Sequence, residues 1–339
     1  MKKKISIIIP AYKVDVYIEK CIRSLENQDL PKEDYEIIVT NDGSPDRCKE
    51  IVESLQMEFS NIVLINQENQ GVSMARNNAI AVAKGKYILP IDPDDYIVPN
   101  VLQMVYQVAV TRNLDVLYLP YEIFDVNGKA IWETNYSDLQ DQTFNGVDGY
   151  FAIRNSATKD PDRSWAMLYR LDLLKKHTVV YPKNVPYLED GLFLAKIFAV
   201  ADKVGFTNQK FYQRTTRPGS ATNSRLFFSE KAIKGFILAA KELKKFASNL
   251  NLNSKQQGLV NHVIIKFVLL ALIPLASIKS FKGFSKVTAE LKKGEFSKLD
   301  VAGVSDRVYC KFATSYNRSG YYFLAVYLKF KFSQKFKLK

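Results

Sequence analysis

The sequence predicts an α/β fold whose mainly parallel sheet is covered by helices on both faces. Over the first 120 residues, short and almost wholly apolar runs alternate with stretches in which apolar residues recur at helical spacing. Strands that are buried on both faces have this continuous apolar character, because helices shield each side of the sheet. Ligands of such sheets gather at the carboxyl ends of the strands, so polar residues at those ends are the first candidates for a functional site.

The elements follow one another regularly. Apolar and β-branched runs predict strands at residues 5–9, 35–40, 61–65 and 87–91. Apolar residues spaced three and four apart predict helices over residues 17–25, 51–59 and 73–84. Gly85 then follows the third helix, where a C-terminal glycine is expected. The alternation of strand and helix favours parallel pairing of the strands.

Beyond residue 120 the chain changes character. An Asn-Gly pair at 127–128 predicts a hairpin, and a helix is expected from residue 191. From residue 226 the sequence is mainly helical and rich in lysine. Residues 230–339 hold 21 Lys and Arg against 6 Asp and Glu, so this segment accounts for all of the net charge of +13. Such a segment predicts a surface for polyanions, either nucleic acid or an anionic membrane leaflet.

Cysteine usage and the apolar segments bear on the compartment. The three cysteines cannot all pair, and Cys21 and Cys48 fall on the apolar faces of predicted helices, which favours a reducing environment. The apolar run before Pro10 is too short for a signal peptide. The uncharged stretch 267–278 is shorter than the roughly 20 residues that span a bilayer, so a buried or interfacial helix is expected there. We therefore expect a cytoplasmic protein.

Four polar loops follow predicted strands or open a predicted helix. They read PAYKV, NDGSPD, NQGVSMARN and DPDD. In a parallel sheet these loops share one edge, so Asp42, Arg76, Asp92 and Asp94 are expected to converge. Neither a G-x-G-x-x-G fingerprint nor a P-loop follows the first strand, which argues against a Rossmann dinucleotide site and a nucleoside triphosphatase.

Five ordered motifs carry a family resemblance. They read SIIIPAYKV, NDGSPD, NQGVSMARNNAI, YILPIDPDD and YLEDGLF. In order and spacing they resemble the inverting family 2 glycosyltransferases of the Rossmann-like GT-A fold, over residues 4–225. The resemblance implies transfer of a sugar from a nucleoside diphosphate sugar, with UDP expected as the nucleotide, to a glycan or lipid-linked acceptor. The expected setting is capsule, exopolysaccharide or lipopolysaccharide synthesis.

The resemblance also implies a domain organisation. Residues 1–225 would form the GT-A domain, with a nucleotide-binding half at 1–120 and an acceptor side at 121–225. Residues 226–339 would form a helical, Lys-rich region outside the resemblance.

Donor-binding roles come from the same resemblance. Asp42 is expected to bind the uracil ring, and Asp92 the ribose side of the donor. Asp94 is expected to hold Mn²⁺ or Mg²⁺, which would neutralise the charge of the diphosphate. The other residues expected near the donor are Pro10, Ala11, Tyr12 and Arg76. Structural alternatives remain for three residues: an Asx-turn for Asp42, a surface helical arginine for Arg76, and a turn or cap carboxylate for Asp95, whose other possible role is in the metal site.

The acceptor side offers one base and several weaker candidates. Asp190 matches the family's catalytic base, with Glu189 as the alternative; at a helix start both residues are also favoured by the helix dipole. A loop over residues 212–223 could close over the diphosphate or remain solvated, and its candidates are Arg214, Arg217 and Ser220. Trp165 could stack on an acceptor sugar or lie in the core.

The basic C-terminal segment bears on the location of the protein and on its rival functions. Aromatic residues interleaved with lysines suit an anionic leaflet, so we expect peripheral association with the inner face of the cytoplasmic membrane. The alternative is a solvated helical cap. Rival functions are a nucleic-acid-binding protein, which would leave the five motifs unexplained, and a homologue that binds sugar nucleotide without turnover. We expect no nucleic-acid partner.

Overall fold

The computed structural model describes residues 3–155, 162–216, 229–277 and 280–337. The chain forms two compact units. The first comprises Met1–Lys183 and Val200–Asn223, and the second comprises Asn184–Ala199 and Ser224–Lys339. Residues 184–199 thus belong with the C-terminal part of the chain, whereas the expected domain boundary at residue 225 assigned them to the GT-A domain.

The first unit contains two sheets. Its strands are β1 Ile5–Ala11, β2 Tyr35–Asp42, β3 Ile62–Gln67, β4 Tyr87–Pro90, β5 Tyr96–Ile97, β6 Val116–Tyr118, β7 Tyr121–Phe124, β8 Ala130–Glu133, β9 Thr143–Phe144, β10 Met167–Arg170, β11 Val204–Phe206 and β12 Tyr212–Thr215. The main sheet has eight strands in the order β3-β2-β1-β4-β10-β6-β11-β9. Strands β3, β2, β1 and β4 are parallel, and β10 and β9 run antiparallel to their neighbours. The predicted mainly parallel sheet is confirmed.

Helices lie between the strands as the sequence predicts. Those of the first unit are α1 Asp15–Glu26, α2 Cys48–Glu58, α3 Val72–Val82, α4 Leu102–Thr111, α5 Gly146–Asn155 and α6 Leu171–Lys176, with a 3₁₀ turn at Lys32–Asp34. Every residue of β1, β2 and β4 is buried, because the sheet is covered on both faces. The burial explains why these strands read as unbroken apolar runs.

The second sheet has the order β5-β12-β7-β8. Strands β7 and β8 form the predicted hairpin, with Gly128 at φ 79° in its turn. Strand β12 corrects the prediction of a loop over 212–223, since Tyr212–Thr215 pairs with both β5 and β7. Its alternating aromatic, polar and β-branched residues suit a half-buried strand. The rest of that predicted loop, from residue 217, lies outside the described residues.

The second unit is helical. Its helices are α7 Glu189–Val200, which ends at the unit boundary, α8 Glu230–Ser248, α9 Ser254–Ser277, α10 Phe281–Lys293, α11 Arg307–Arg318 and α12 Gly320–Lys337. The expected helical C-terminal region is confirmed. Lys196 on α7 lies 3.6 Å from Glu242 on α8, and Gly258 on α9 meets the backbone of Gly303 so closely that a Cβ would clash with its carbonyl. The first contact joins two helices, and the second holds the loop before α11 against α9.

One helix of the described chain is long and apolar enough to cross a membrane. It covers Ser254–Ala276 within α9, and 83% of its most apolar window is buried inside the structure. The core helix of a helical unit has the same properties.

Candidate active site

Three carboxylates are bunched in the loop that follows β4. Asp92, Asp94 and Asp95 each offer one oxygen, and these oxygens all lie within 4.8 Å of one another. A tight turn produces the cluster, because the Asp95 amide donates to the Asp92 carbonyl at 3.1 Å. The Ile91 amide donates to the Ile8 carbonyl of β1 at 3.0 Å, which holds the start of the loop against the sheet. The carboxylates therefore lie at the carboxyl edge of the parallel strands, as predicted.

Arg76 on α3 balances part of this charge. Its guanidinium donates to Asp92 at 2.8 Å and lies 5.1 Å from the ring centroid of Tyr181. Arg76 is only 4% exposed, so the alternative of a surface helical arginine is wrong. Burial raises the pKa of Asp92, and the charge of Arg76 opposes that rise. The pair therefore sets a buried guanidinium against a half-buried carboxyl group at the sheet edge.

Asp95 joins the acidic loop to β12. Its carboxylate accepts hydrogen bonds from the Tyr212 hydroxyl at 2.7 Å and from the Thr215 amide at 2.8 Å. The same Tyr212 hydroxyl accepts from the Asp92 amide at 3.2 Å. Burial, followed by the charges of Asp92 and Asp94, raises the pKa of Asp95 to about 8. The hydrogen bonds of the Asp95 side chain join it to β12 rather than to its own turn. They therefore anchor the acidic loop to the second sheet.

Tyr212, Thr215 and Cys21 were missed in the sequence analysis. Tyr212 and Asp95 are 117 positions apart, so local spacing gives no signal for their contact. Cys21 on α1 is buried beside the loop, and its sulfur lies 3.8 Å from the Asp92 carbonyl. Burial and the neighbouring aspartates raise the pKa of Cys21, so it remains a neutral thiol that packs under the loop.

Asp42 organises the loop that leads into α3. Its buried carboxylate accepts from the Gln67 side chain at 2.7 Å, the Gln70 amide at 2.7 Å and the Gly71 amide at 2.9 Å. The Asx-turn weighed for Asp42 is instead closed by Asn41, whose side chain accepts from the Ser44 amide at 3.0 Å. The expected contact of Asp42 with a uracil ring remains a prediction.

The end of β1 presents one exposed aromatic ring next to these loops. Pro10 and Ala11 are buried in the strand, whereas Tyr12 is 42% exposed. Ala11 pairs with Asn41 in the parallel register, so Tyr12 and Asp42 occupy the following row of the same edge. The Lys13 amide donates to the Ser44 hydroxyl at 2.7 Å, which ties the two loops together. Tyr12 is thus available to pack on a flat ligand.

Trp165 lies in an aromatic cluster of the first unit. Its ring is 8% exposed and stacks on Tyr212, with centroids 4.8 Å apart. Tyr121 meets it edge-on at 4.8 Å. The structure thus favours the core alternative over a sugar-stacking platform, because neighbouring rings cover the indole. Arg214 on β12 lies 5.8 Å from the indole, and its charge acts on Asp92.

Four candidates remain, two in the second unit and two outside the described residues. Asp190 and Glu189 occupy the first turn of α7 in the second unit and are half-buried. Their proposed roles as base and alternative base remain predictions. Arg217 and Ser220 lie outside the described residues.

The arrangement suits a ligand that carries a diphosphate and a flat ring. Clustered carboxylate oxygens are the donors that hard divalent cations prefer, and Asp94 is half-exposed within the cluster. Tyr12 offers an aromatic face at the same edge. A mainly parallel α/β sheet with polar loops at this edge is typical of the class of nucleotide-binding α/β folds.

Comparison with known proteins places the chain within that class. Residues 6–177 match the sequence profile of Glycosyl transferase family 2, and the chain belongs to this family. The matched region includes the strand-end loops from Tyr12 to Asp95 and the ring of Trp165.

Several bacterial proteins are similar in sequence. The poly(ribitol-phosphate) beta-glucosyltransferase of Bacillus spizizenii is 30% identical and aligns with 64% of this chain and 33% of its own length. The glycosyltransferase EpsJ of Bacillus subtilis is also 30% identical, over 64% of this chain and 62% of its own. TarS of Staphylococcus aureus, a poly(ribitol-phosphate) beta-N-acetylglucosaminyltransferase, is 27% identical over 71% of this chain and 40% of its own. The chain spans between one third and three fifths of these relatives' lengths.

Solved structures share the fold. The structure of S. aureus TarS 1-349 with UDP-GlcNAc aligns with a TM-score of 0.72 at 21% identity, covering 96% of this chain and 92% of that one. The mannosyltransferase PcManGT of Pyrobaculum calidifontis, with GDP-Man and Mn²⁺, aligns with a TM-score of 0.52 at 12% identity, covering 97% and 87%. At these identities the likeness concerns the fold.

Proposed function

We propose that this protein is a metal-dependent inverting glycosyltransferase that uses a UDP-sugar as donor. The acceptor would be a glycan or a lipid-linked glycan in the assembly of a bacterial surface polysaccharide. The observation that carries the proposal is the acidic loop after β4, whose Asp92 is held by the buried Arg76 at the sheet edge where Tyr12 is exposed. Family membership and the relatives' names support the choice of reaction.

The donor would lie along the carboxyl edge of the parallel strands. Tyr12 would pack on the base, and Asp42 would hydrogen-bond the uracil ring. The carboxylate of Asp42 also fixes the loop before α3. Asp92 would face the ribose, oriented by Arg76. A UDP-sugar is favoured because the TarS structure that shares this fold contains UDP-GlcNAc.

The acidic loop would hold a divalent cation through Asp94. A bound Mn²⁺ or Mg²⁺ would neutralise the diphosphate of the donor. Asp95 would serve as an anchor, because Tyr212 and Thr215 already occupy its carboxylate. The PcManGT structure, which has the same fold, contains Mn²⁺ and supports this choice of metal.

Asp190 would be the general base. It would accept the proton of the acceptor hydroxyl while the oxygen attacks the anomeric carbon from the face opposite the diphosphate, which inverts the configuration. A carboxylate is strong enough for this role, since the hydroxyl becomes acidic only as its bond to carbon forms. Glu189 is the alternative in the same helical turn.

The second unit would bring the enzyme to the inner face of the cytoplasmic membrane. Tyr321 and Phe332 on α12 are exposed, and Lys329 and Lys331 lie between them in sequence. Aromatic rings and basic groups together favour an anionic interface. This proposal covers location only, and the transferase reaction does not depend on it.

A thermal-shift screen tests the proposed donor and metal. We expect UDP-GlcNAc, UDP-glucose or UDP-galactose to raise the melting temperature in the presence of Mn²⁺ and to do so much less in EDTA, because ligand binding stabilises the folded state by mass action. Asp94→Ala should lose the Mn²⁺-dependent part of the shift. Equal shifts in wild type and Asp94→Ala would reject Asp94 as the metal ligand. Donor binding without sugar transfer to any glycan acceptor would favour the non-catalytic homologue.

A further inference from the structure

A basic groove in the second unit has no role in the reaction outlined above. It lies between α11 and α12, has a volume of about 600 Å³, and is bordered at one end by Val304 and Ser305. Its walls include Arg307, Lys311 and Arg318 from α11 and Tyr322 from α12. We call this feature the α11–α12 groove.

The three cations form one stripe. Positions 307, 311 and 318 are separated by four and seven residues, so they share a face of α11. At the rise of an α-helix, the stripe places its charges about 6 Å and about 10 Å apart along the axis. All three side chains are exposed. A line of positive charge therefore runs along one wall of a concave surface.

Nothing in the described chain neutralises this line. Arg307, Lys311 and Arg318 make no ion pair with any described carboxylate, in contrast to Lys234, which pairs with Glu230 at 2.9 Å. The nearest acid in sequence, Asp306, caps α11 by accepting from the Val308 and Tyr309 amides at 2.8 and 2.9 Å. The Arg318 guanidinium lies 4.5 Å from the Tyr322 ring, which orients it without changing its charge.

We propose that the α11–α12 groove binds a linear polymer of polyol units joined by phosphodiesters. One negative charge per unit along a flexible chain can match a stripe of cations, and arginine forks are suited to phosphate oxygens. The hydroxyls of Thr314 and Ser305 line the same groove and can bond to polyol hydroxyls. A concave groove accommodates a strand more readily than a flat bilayer. The inference rests on the proposed function, because it specifies the acceptor class.

Cys310 provides a reporter at the site itself. It lines the groove and is half-buried, whereas Cys21 and Cys48 are each 1% exposed. A thiol reagent should therefore label Cys310 first in the folded protein, and Cys310→Ser should remove that labelling. We expect poly(ribitol phosphate) to slow the labelling of Cys310 by about tenfold at saturation. Binding of the polymer with an unchanged labelling rate would overturn the proposal.

A matched pair of triple variants tests the cations. The first replaces the stripe (Arg307→Gln, Lys311→Gln, Arg318→Gln). The control removes the same charge from exposed lysines of α8 that form no ion pair within the described ranges (Lys231→Gln, Lys241→Gln, Lys245→Gln). Loss of three charge-assisted contacts should weaken the Kd for poly(ribitol phosphate) by about tenfold, against less than about threefold for the control. Equal losses would mean that only net charge matters and would overturn the proposal.

Two further measurements distinguish polymer binding in the groove from membrane binding and from the transferase reaction. Vesicles containing phosphatidylglycerol should bind both triple variants alike; if the stripe variant loses vesicle binding but keeps polymer binding, the groove is a membrane contact and the proposal fails. Polymer binding is measured without donor, and Asp190→Asn protein should bind the polymer as wild type does. An enzyme that bound the polymer in the groove but transferred no sugar would contradict the proposed function and leave this inference standing.

Discussion

The strand-end loops of the first unit and the α11–α12 groove of the second unit use charge in opposite ways. In the loops, charged groups are fixed by protein partners: Arg76 binds Asp92, and Asp95 binds Tyr212. In the groove, Arg307 and Lys311 have no ion-pair partner among the described residues. The first arrangement is organised before any ligand arrives, and the second leaves its charge for a ligand.

This difference corresponds to two kinds of recognition. A reacting diphosphate must be held in one position, and pre-formed hydrogen bonds avoid the cost of reorganising the site during the reaction. A repeating polymer can bind in several registers, so mobile exposed cations are sufficient and their effect is screened by salt. Charge changes in the loops should therefore affect folding and turnover, whereas changes in the groove should affect affinity alone.

The largest effect is expected at Asp190. As the proposed base, Asp190 would place a chemical step in the second unit, where charge changes are otherwise expected to affect affinity alone. Asp190→Asn should lower kcat about a thousandfold while the Kd for the donor stays unchanged, since only the proton acceptor is removed. Steady-state kinetics and a donor titration on the same protein check the two parts. Glu189→Gln is the matched control and should retain most of the activity. A larger loss in Glu189→Gln than in Asp190→Asn would move the base to Glu189.

Arg76 tests how strongly the loops depend on pairing. Arg76→Met removes the buried cation that pairs with the half-buried Asp92, so the free energy of unfolding should fall by about 3 kcal/mol. Urea unfolding measures this loss. Adding Asp92→Asn should restore part of it, because the unpaired charge is then gone.

An exposed pair supplies the control for Arg76. Arg23 contacts Glu58 at 3.0 Å on the surface, where its side chain is 47% exposed. Arg23→Met should cost only a small fraction of the loss seen with Arg76→Met, because water replaces the lost partner. Similar losses in the two variants would show that burial does not set the strength of the Arg76 pair.

The hydrogen bond between Asp95 and Tyr212 gives a second test of how the strand-end loops depend on pairing. Tyr212→Phe removes the hydroxyl that bonds to the buried side chain of Asp95 and should lower the free energy of unfolding by about 2 kcal/mol. It should also raise KM for the donor, because the acidic loop loses its link to β12. A double-mutant cycle with Asp95→Asn measures the coupling. Additive losses in the double variant would contradict a direct contact.

The sequence predicted those parts of the fold that depend on local pattern. The first four strands and the helices between them follow from apolar periodicity, and the Asn-Gly turn marked the hairpin of β7 and β8. The convergence of Asp92 with Arg76 followed from the rule that loops of a parallel sheet share an edge. Burial of both sheet faces requires apolar residues along the strands, so these features can be recognised in the sequence.

The residues that contact the site residues could not be predicted from the sequence, and the reason is physical. Tyr212 reaches Asp95 across 117 positions, and the Asn77 side chain donates to the Tyr181 carbonyl across 104. Such contacts depend on how distant segments of the chain pack together, which the local spacing of apolar residues does not encode. The same applies to Trp165, whose burial depends on Tyr121 and Tyr212 rather than on its neighbours in sequence.

The smallest effect is expected for a single charge in the groove. Arg307→Gln should leave the urea midpoint unchanged, because Arg307 has no ion-pair partner among the described residues. The Kd for poly(ribitol phosphate) should rise about threefold at low salt. The difference in affinity should shrink as NaCl is added, since exposed charges are screened. A lower urea midpoint would show that Arg307 is bound within the folded protein, and the contrast between the groove and the strand-end loops would then fail, because both would use charge to hold the fold together.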